Sequence, residues 1–204
     1  MKRQVSVAFS ARHDTDLQMI LAVNADRIHV DVIDKSFADN VAVDIGILER
    51  LSRLTDKPID VHIMAKKPSE YISMASYADT FLFHYEIDED IEEIFGRIPS
   101  GIKKGIVINP ETSIEKILPC LNKVDAVLVL GVNPGFSGQK MIPETVEKAR
   151  ELSEMSGRNF ILMFDGGVTV ENAKSIPADV IVSGSTILNS PEPGKTIELL
   201  RQLG

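Results

Sequence analysis

Eight short runs of apolar residues recur along the chain, and each is followed by a longer segment with the apolar spacing of a helix. This alternation predicts repeated strand–helix units, because short runs rich in Val, Ile and Phe are typical of buried strands. A chain with this pattern is expected to be an α/β protein with a parallel sheet. The predicted strands lie near Gln4–Ser10, Asp26–Val32, Ile59–Met64, Thr80–His84, Lys104–Asn109, Ala126–Val132, Phe160–Phe164 and Val180–Ser183.

Helical segments are predicted between these strands and after the last of them. Pro68 and Pro143 suit a first helical turn, where no hydrogen bond of a backbone N–H is lost. Thr112 or Ser113 can accept such N–H groups at the start of another helix. The predicted helices lie near Asp14–Val23, Val43–Thr55, Pro68–Ala75, Asp90–Phe95, Ser113–Leu121, Pro143–Glu154, Val170–Lys174 and Lys195–Gln202, with a short extra helix over Thr186–Asn189.

Eight such units allow either a closed (β/α)₈ barrel or an open doubly wound sheet. The first predicted strand is followed by Ser10-Ala11-Arg12 and contains no Gly-x-Gly-x-x-Gly sequence, so a dinucleotide-binding sheet loses its main support. Each unit has about 25 residues, against roughly 31 in a typical barrel, so a barrel here needs short loops. No linker divides the chain. We therefore predict a single domain over residues 1–204, for which a closed barrel is feasible and an open sheet stays the alternative.

Charge and composition restrict the partners of the protein. The net charge is −8, and an acidic chain without a basic cluster repels a phosphate backbone, so no nucleic acid partner is expected. No apolar run approaches the roughly 18 residues of a membrane span, and the first residues lack the apolar core of a signal peptide. Cys120 is the only cysteine and is expected to be buried in a reducing compartment. We expect a cytoplasmic protein and leave its oligomeric state open, a homo-oligomer included.

Histidines and aspartates lie at the ends of several predicted strands. His29 and Asp31 are two residues apart, so the strand period of two directs both side chains to the same face. In the third strand, His62 and Met64 repeat this spacing. Asp165 ends the seventh. Each residue alone is more often a hydrogen-bonded core residue or a turn cap, but two imidazoles and two carboxylates together predict a site for one divalent metal ion. Iron(II), zinc, manganese and cobalt all remain open.

Two further histidines fall outside this set. His84 ends the fourth predicted strand and is expected near the same mouth. His13 lies in the first loop, where a solvated side chain is the simpler interpretation.

Three glycine loops follow the last three predicted strands. They are Gly135-Phe136-Ser137-Gly138, Asp165-Gly166-Gly167 and Ser183-Gly184-Ser185. Any one of them is simply explained as a tight turn, but backbone N–H groups in such loops can converge on an anion. In barrels, the loops after strands seven and eight often bind phosphate together with a short helix. The three loops together therefore favour a phosphate ligand.

These motifs are most informative as a series. The series is His29-Val30-Asp31-Val32-Ile33-Asp34, Asp60-Val61-His62-Ile63-Met64 with Pro68, Gly105-Ile106-Val107-Ile108-Asn109-Pro110-Glu111-Thr112, Val132-Asn133-Pro134-Gly135-Phe136-Ser137-Gly138-Gln139, Asp165-Gly166-Gly167-Val168 and Ser183-Gly184-Ser185. In order and spacing it resembles the ribulose-phosphate 3-epimerase family from the second strand to the end. The Asn-Pro-Gly-Phe and Asp-Gly-Gly blocks are its most specific parts.

The resemblance implies a single (β/α)₈ TIM barrel that epimerises C3 of a ketose phosphate with a divalent metal. It implies that His29, Asp31, His62 and Asp165 are the metal ligands, with Asp31 and Asp165 also acting as acid and base. This suits the chemistry, because inversion next to a carbonyl removes a proton from one face and delivers one to the other. It also implies that Met64 lies beside the intermediate and that phosphate meets Gly135, Phe136, Ser137, Gly138, Gly166, Gly167, Gly184 and Ser185.

The chain departs from the family pattern in the residues expected to contact substrate. Val7 aligns with a serine of the family's first strand that forms a hydrogen bond with substrate. Ser6 would take the place of this serine only if the strand shifted by one residue, and such a shift reverses the face on which a side chain lies. Where the family has Met-Asp-Gly, this chain has Ile33-Asp34-Lys35. Leu130 stands where the family has a second methionine, and Ser137 stands where it has a loop glycine. We therefore interpret the chain as a divergent member, acting on ribulose 5-phosphate or on a related pentulose or hexulose phosphate.

Two other functions stay open on the sequence. A decarboxylase or aldolase on a related phosphate-binding barrel usually needs a lysine beside its carboxylates. Lys35, next to Asp34, is the only candidate in the second-strand motif and lacks the alternating Asp-x-Lys spacing. A non-catalytic sugar-phosphate or metal-binding protein is the other alternative, suggested by Val7, Ile33 and Leu130.

Overall fold

Eight parallel strands close into one barrel in chain order, β1 pairing with β2 and finally β8 with β1. The computed structural model describes residues 3–12 and 17–203. The predicted (β/α)₈ TIM barrel is confirmed. Its strands are β1 (Gln4–Ser10), β2 (Arg27–Ile33), β3 (Ile59–Met64), β4 (Thr80–His84), β5 (Lys103–Ile108), β6 (Ala126–Leu130), β7 (Ile161–Asp165) and β8 (Val180–Ser183).

The ends of four strands differ from the prediction by one or two residues. β2 and β7 each begin and end one residue later than predicted, and β5 begins and ends one residue earlier. β6 ends at Leu130. The N–H of the next residue, Gly131, still donates to the carbonyl of Asp165 on β7, but the carbonyl of Gly131 leaves the sheet and accepts from the N–H of Ile142, at 2.7 Å. Inter-strand pairing therefore decides boundaries that an apolar run leaves uncertain.

Six α-helices surround the barrel within the described part of the chain. They are α1 (Leu17–Ala22), α2 (Ile45–Leu54), α3 (Ile91–Arg97), α4 (Glu144–Ser153), α5 (Ser185–Leu188) and α6 (Pro193–Gln202). The predicted first helix began at Asp14, which lies outside the described residues. α4 starts after Pro143, and α5 is the predicted short helix shifted by one residue. Every helix in residues 3–12 and 17–203 is too short or too polar to cross a lipid bilayer.

Three predicted α-helices are 3₁₀ segments instead. The segment after β3 covers Pro68–Tyr77. The segment after β5 is split into Ile114–Lys116 and Leu118–Lys123, and Pro119 within it lacks the N–H that a continuous α-helix requires. Ser113 forms no side-chain cap there.

The segment after β7 is helical only over Ala173–Ser175. Thr169 and Asn172 bond each other's backbone N–H through their side chains, which stabilises a turn instead of a helix.

Alternate residues of the strands face opposite sides of the barrel wall. Val30, Val61 and Phe83 lie in the outer core, between the barrel and the helices, where Cys120 is buried as predicted. Leu82, Leu128 and other residues form a smaller core inside the barrel. Val7 belongs to the outer core, whereas Ala8 belongs to the inner one. The expectation that Val7 occupies the substrate-facing position of β1 is therefore wrong, since Ala8 faces the interior.

Candidate metal and active site

Four side chains meet at the carboxyl end of the barrel. His29 and Asp31 come from β2, His62 from β3 and Asp165 from β7, and one ligand atom of each lies within 4.8 Å of all the others. The Nδ1 atom of His62 is 2.9 Å from Oδ1 of Asp31, and the Nε2 atom of His29 is 3.3 Å from both atoms. The structure therefore brings together all four residues that the sequence singled out as ligands.

The spacing of these atoms fits one metal ion. Bonds of about 2.1 Å place neighbouring ligand atoms of a tetrahedral site about 3.4 Å apart, close to the 3.3 Å that separates Nε2 of His29 from its two neighbours. Two imidazole nitrogens and two carboxylate oxygens suit a first-row divalent ion. The residues present can therefore hold such an ion.

The surroundings of the two carboxylates drive their pKa values apart. Burial alone would raise the pKa of Asp31, but hydrogen bonds with His29 and His62 hold it well below its usual range. Burial and the nearby charge of Asp31 raise the pKa of Asp165 to about 7. Near neutral pH, Asp31 is thus an ionised acceptor while Asp165 can hold or release a proton.

The two histidines are also perturbed in opposite directions. Burial opposes the charged form of His29, but its hydrogen bond with Asp31 and the charge of Asp31 raise its pKa to about 8. Burial lowers the pKa of His62 to about 4, which keeps this imidazole neutral. A neutral imidazole is the form that binds a metal ion.

A cavity of about 750 Å³ opens above this cluster, and both Asp31 and Asp165 line it. Ala8 of β1 and Leu130 of β6 also reach its wall. Every residue predicted to contact substrate or phosphate lines the same cavity, namely Met64, Gly135, Phe136, Ser137, Gly138, Gly166, Gly167, Gly184 and Ser185. The predicted carboxylates and glycine loops therefore share one chamber.

Two of the glycines occupy positions that exclude a side chain. Gly135 has φ of 109°, and a Cβ atom there would lie 2.4 Å from Cβ of Ala38. Gly167 has φ of 66°, and its Cβ would lie 2.3 Å from the backbone nitrogen of Met141. Both glycines line the cavity, so the backbone there packs closely against Ala38 and Met141 without room for a side chain.

Several polar cavity residues were missed on the sequence. Arg12 lines the cavity just after β1, and its guanidinium donates to Oδ1 of Asn40 at 2.8 Å. The Nδ2 atom of Asn40 donates to the carbonyl of Gly135 at 2.6 Å. Asn40 therefore joins the loops after β1, β2 and β6. Arg12 could have been found by the rule that the loops after barrel strands carry function, but the bridge through Asn40 has no local sequence signal.

Two residues considered on the sequence lie away from the cavity. His84 is fully buried behind His62 and does not reach the mouth as expected, because Phe37 of the loop after β2 packs on it with ring centroids 4.4 Å apart. Lys35 is exposed and is not among the residues that line the cavity. His13 lies outside the described residues.

The fold and this site define an α/β barrel enzyme with a cluster of two histidines and two aspartates that could hold a metal ion, beneath a chamber lined by glycine loops. Residues 4–188 match the model of the ribulose-phosphate 3-epimerase family. The chain belongs to this family and is an isomerase of the carbohydrate-phosphate epimerase class.

Individual relatives support this assignment. The chain is 35% identical over 201 residues to ribulose-phosphate 3-epimerase of Escherichia coli strain K12, covering 94% of this chain and 89% of that one. It is 34% identical to the cytoplasmic isoform of Oryza sativa, covering 90% and 84%. The solved 3-hexulose-6-phosphate synthase of Salmonella typhimurium shares the fold, with a TM-score of 0.71, 15% identity and coverage of 98% and 97%.

Proposed function

We propose that the protein interconverts the C3 epimers of a ketose phosphate by metal-dependent proton transfer through an ene-diolate. The substrate pair is ribulose 5-phosphate and xylulose 5-phosphate or a related pentulose or hexulose phosphate. The observation that carries the proposal is the placement of Asp31 and Asp165 in one cavity, on strands that are not neighbours, next to two histidines and three glycine loops.

Asp31 and Asp165 are the proposed acid and base. Strand β2, which carries Asp31, is separated from β7, which carries Asp165, by β8 and β1. Their carboxylates can therefore approach a bound sugar from different sides. The ionised carboxylate removes the C3 proton from one face, and the protonated one delivers a proton to the other face. In the reverse reaction the two residues exchange roles.

His29, Asp31, His62 and Asp165 are the proposed ligands of one divalent ion, which is iron(II), zinc, manganese or cobalt. A bound ion supplies positive charge that stabilises the negative oxygen formed when the C3 proton leaves. His29 and His62 hold nitrogen donors at fixed positions because both side chains are fully buried. Met64 lines the cavity, where it would pack on the intermediate without offering it a charge.

The glycine loops are the proposed phosphate site. Gly166, Gly167, Gly184 and Ser185 line one part of the cavity, and α5 begins at Ser185. The first N–H groups of a helix have no partner within the helix and suit an anion. The Gly135–Gly138 loop closes the cavity from the side of β6 and supplies Phe136 and Ser137 to its wall.

A direct assay on a panel of small ketose phosphates tests the proposal. Nuclear magnetic resonance detects C3 inversion, carbon dioxide release and carbon–carbon cleavage in one experiment. We expect inversion at C3 without loss of carbon. Cleavage of the substrate or release of carbon dioxide would favour the aldolase or decarboxylase interpretation, which the exposed position of Lys35 argues against. Binding without turnover of any sugar on the panel would contradict the proposal.

We also propose that residues 1–204 form one domain that works in the cytoplasm. The family match covers 4–188, and the rice relative is named a cytoplasmic isoform. Cell fractionation with antibodies against the protein tests the location.

A further inference from the structure

Behind the proposed metal site, a chain of hydrogen-bonded groups leads away from the cavity. It begins at His62, whose Nδ1 atom faces the cluster and lies 2.9 Å from Oδ1 of Asp31. The other ring nitrogen, Nε2, is 2.9 Å from Nε2 of His84. The remaining nitrogen of His84, Nδ1, is 3.2 Å from Oε2 of Glu86. Both histidines are fully buried, so water does not compete for these contacts.

We propose that Glu86 acts through His84 as a positioning residue that selects the metal-binding tautomer of His62. The inference rests on the metal site of the proposed function. A neutral imidazole carries one proton, so His62 can offer Nδ1 to a metal only when its proton is on Nε2. That N–H must then donate to Nε2 of His84, which places the proton of His84 on Nδ1. The final acceptor is the carboxylate of Glu86, which has no proton of its own to donate.

The orientation of Glu86 is itself determined by its second oxygen. Oε1 of Glu86 accepts from the backbone N–H of Asn109, at 3.0 Å, and from the hydroxyl of Thr112. Lys148 of α4 holds this loop by donating to the carbonyls of Asn109, Pro110 and Thr112. Two donors thus bind one oxygen of Glu86 and leave the other for His84. This carboxylate therefore determines in which direction the hydrogen bonds between His62, His84 and Glu86 are donated.

Rings packed against His84 restrict its rotation. His62 stacks on it with ring centroids 5.0 Å apart and planes at 25°, and Phe37 contacts it from the loop after β2. His84 therefore stays in the orientation in which its Nδ1 atom faces Glu86 and its Nε2 atom faces His62. Partners of this kind, which orient a ligating histidine, typically change metal affinity by about 10–100-fold when they are altered.

Glu86→Gln tests the inference with almost no change in shape. If the amide oxygen stays with Asn109 and Thr112, the NH₂ group faces Nδ1 of His84 and reverses the chain, which places a proton on Nδ1 of His62. If the amide turns over, its NH₂ group opposes the backbone N–H of Asn109. Either arrangement weakens the selected tautomer. The Kd for Zn²⁺, measured by competition with a chromophoric chelator, should rise about 10–100-fold.

Glu89→Gln is the matched control. Glu89 is also half-buried and accepts from a backbone N–H and a hydroxyl, both of Ser69, but it has no contact with the histidines. Its Zn²⁺ affinity should equal that of the unaltered protein. Equal affinity of Glu86→Gln and the unaltered protein would overturn the inference while leaving the metal site intact. Absence of Zn²⁺ binding by the unaltered protein would instead contradict the metal site of the proposed function.

A spectroscopic measurement keeps the inference testable even if Glu86→Gln fails to fold. In the zinc-loaded unaltered protein, two-bond ¹H–¹⁵N correlations distinguish the protonated from the unprotonated ring nitrogen of each histidine. We expect the proton of His84 on Nδ1 and that of His62 on Nε2. A proton on Nε2 of His84 would show that the chain runs in the opposite direction and would refute the role of Glu86.

Discussion

The carboxylate of Asp31 on β2 and that of Asp165 on β7 lie within 4.8 Å of each other, although two other strands separate β2 from β7 in the barrel. Two like charges at this distance inside a protein disfavour simultaneous ionisation. Contacts with the ring nitrogens of His29 and His62 hold the pKa of Asp31 well below its usual range, whereas burial and the charge of Asp31 raise the pKa of Asp165 to about 7. The short distance that suits one metal ion thus also gives the two carboxyls different pKa values, so that one can act as the base and the other as the acid.

Replacement of one carboxylate should leave proton transfer on only one face of the C3 carbon. In heavy water, the unaltered protein should place deuterium at C3 of the product. Asp165→Asn should exchange the C3 hydrogen of one epimer with solvent without inverting it, because Asp31 can still remove and return a proton on its own face. Asp31→Asn should exchange the hydrogen of the other epimer, as followed by nuclear magnetic resonance.

Metal content must be measured in both of these variants, because each residue is also a proposed ligand. Only metal-loaded protein is compared. Substantial inversion by either loaded variant, or exchange of the same epimer by both, would show that the acid and base are assigned wrongly.

Loss of one imidazole ligand should remove the metal. We expect about one divalent ion per chain in the purified protein, and His62→Ala should lose most of it because each ligand of a four-ligand site contributes strongly to affinity. Elemental analysis measures the content. Asp34→Asn is the control, since Asp34 follows β2 but bonds Ser36 and Tyr71 instead of the cluster. Equal metal in His62→Ala and the unaltered protein would exclude His62 as a ligand.

A negative charge in the first glycine loop should weaken substrate binding. Gly138→Asp places a carboxylate at the cavity wall, where it repels phosphate, so KM for the sugar phosphate should rise strongly. Gly157→Asp is a close control, because both glycines are exposed, have φ of 78° and 73°, and leave a Cβ in open space, but Gly157 is not among the cavity residues. Equal KM values for the two variants would place the phosphate elsewhere.

The ion pair deeper in the barrel should support stability. Nε of Arg27 donates to Oδ2 of Asp60 at 2.9 Å, and both side chains are buried. Arg27→Met leaves the buried carboxylate without its partner and should lower the free energy of unfolding by about 3–5 kcal/mol. Urea titration of the protein measures this difference.

The surface pair of Arg53 and Glu49 provides the comparison for that measurement. Arg53 is exposed and pairs with Glu49 one helical turn away, so Arg53→Met should cost only about 0.3–0.5 kcal/mol. If Arg27→Met and Arg53→Met lower the free energy of unfolding by similar amounts, the buried Arg27–Asp60 pair contributes no more to stability than the exposed pair does.

Much of the barrel could be predicted because strands and helices have different periods that local sequence displays. The two-residue spacing of His29 and Asp31 places both on one face of β2 wherever the strand lies. The glycine loops could likewise be predicted, since a positive φ at Gly135 or Gly167 restricts the residue type at that position. These are properties of short segments, so the sequence by itself determined them.

The facing of β1 was predicted wrongly although the local sequence carries a signal for it. Gln4, Ser6 and Ser10 alternate with Val5, Val7 and Phe9, which is the period of a strand with two different faces. Placing Val7 at the family's serine position ignored this alternation. Residues Val5 to Phe9 are all buried, so burial alone does not distinguish the faces, but pairing with β2 sets Ala8 beside His29 and shows that Ala8 faces the interior and Val7 does not.

The contacts around His84 were decided by the tertiary structure alone. The sequence placed His84 at a strand end, but only barrel closure and the covering ring of Phe37 put it behind His62 and against Glu86. The bridge from Arg12 through Asn40 to Gly135 joins residues far apart in the chain for the same reason. Local periodicity specifies which face a side chain occupies, whereas its partner across the barrel depends on strand order, register and loop packing, which are non-local properties.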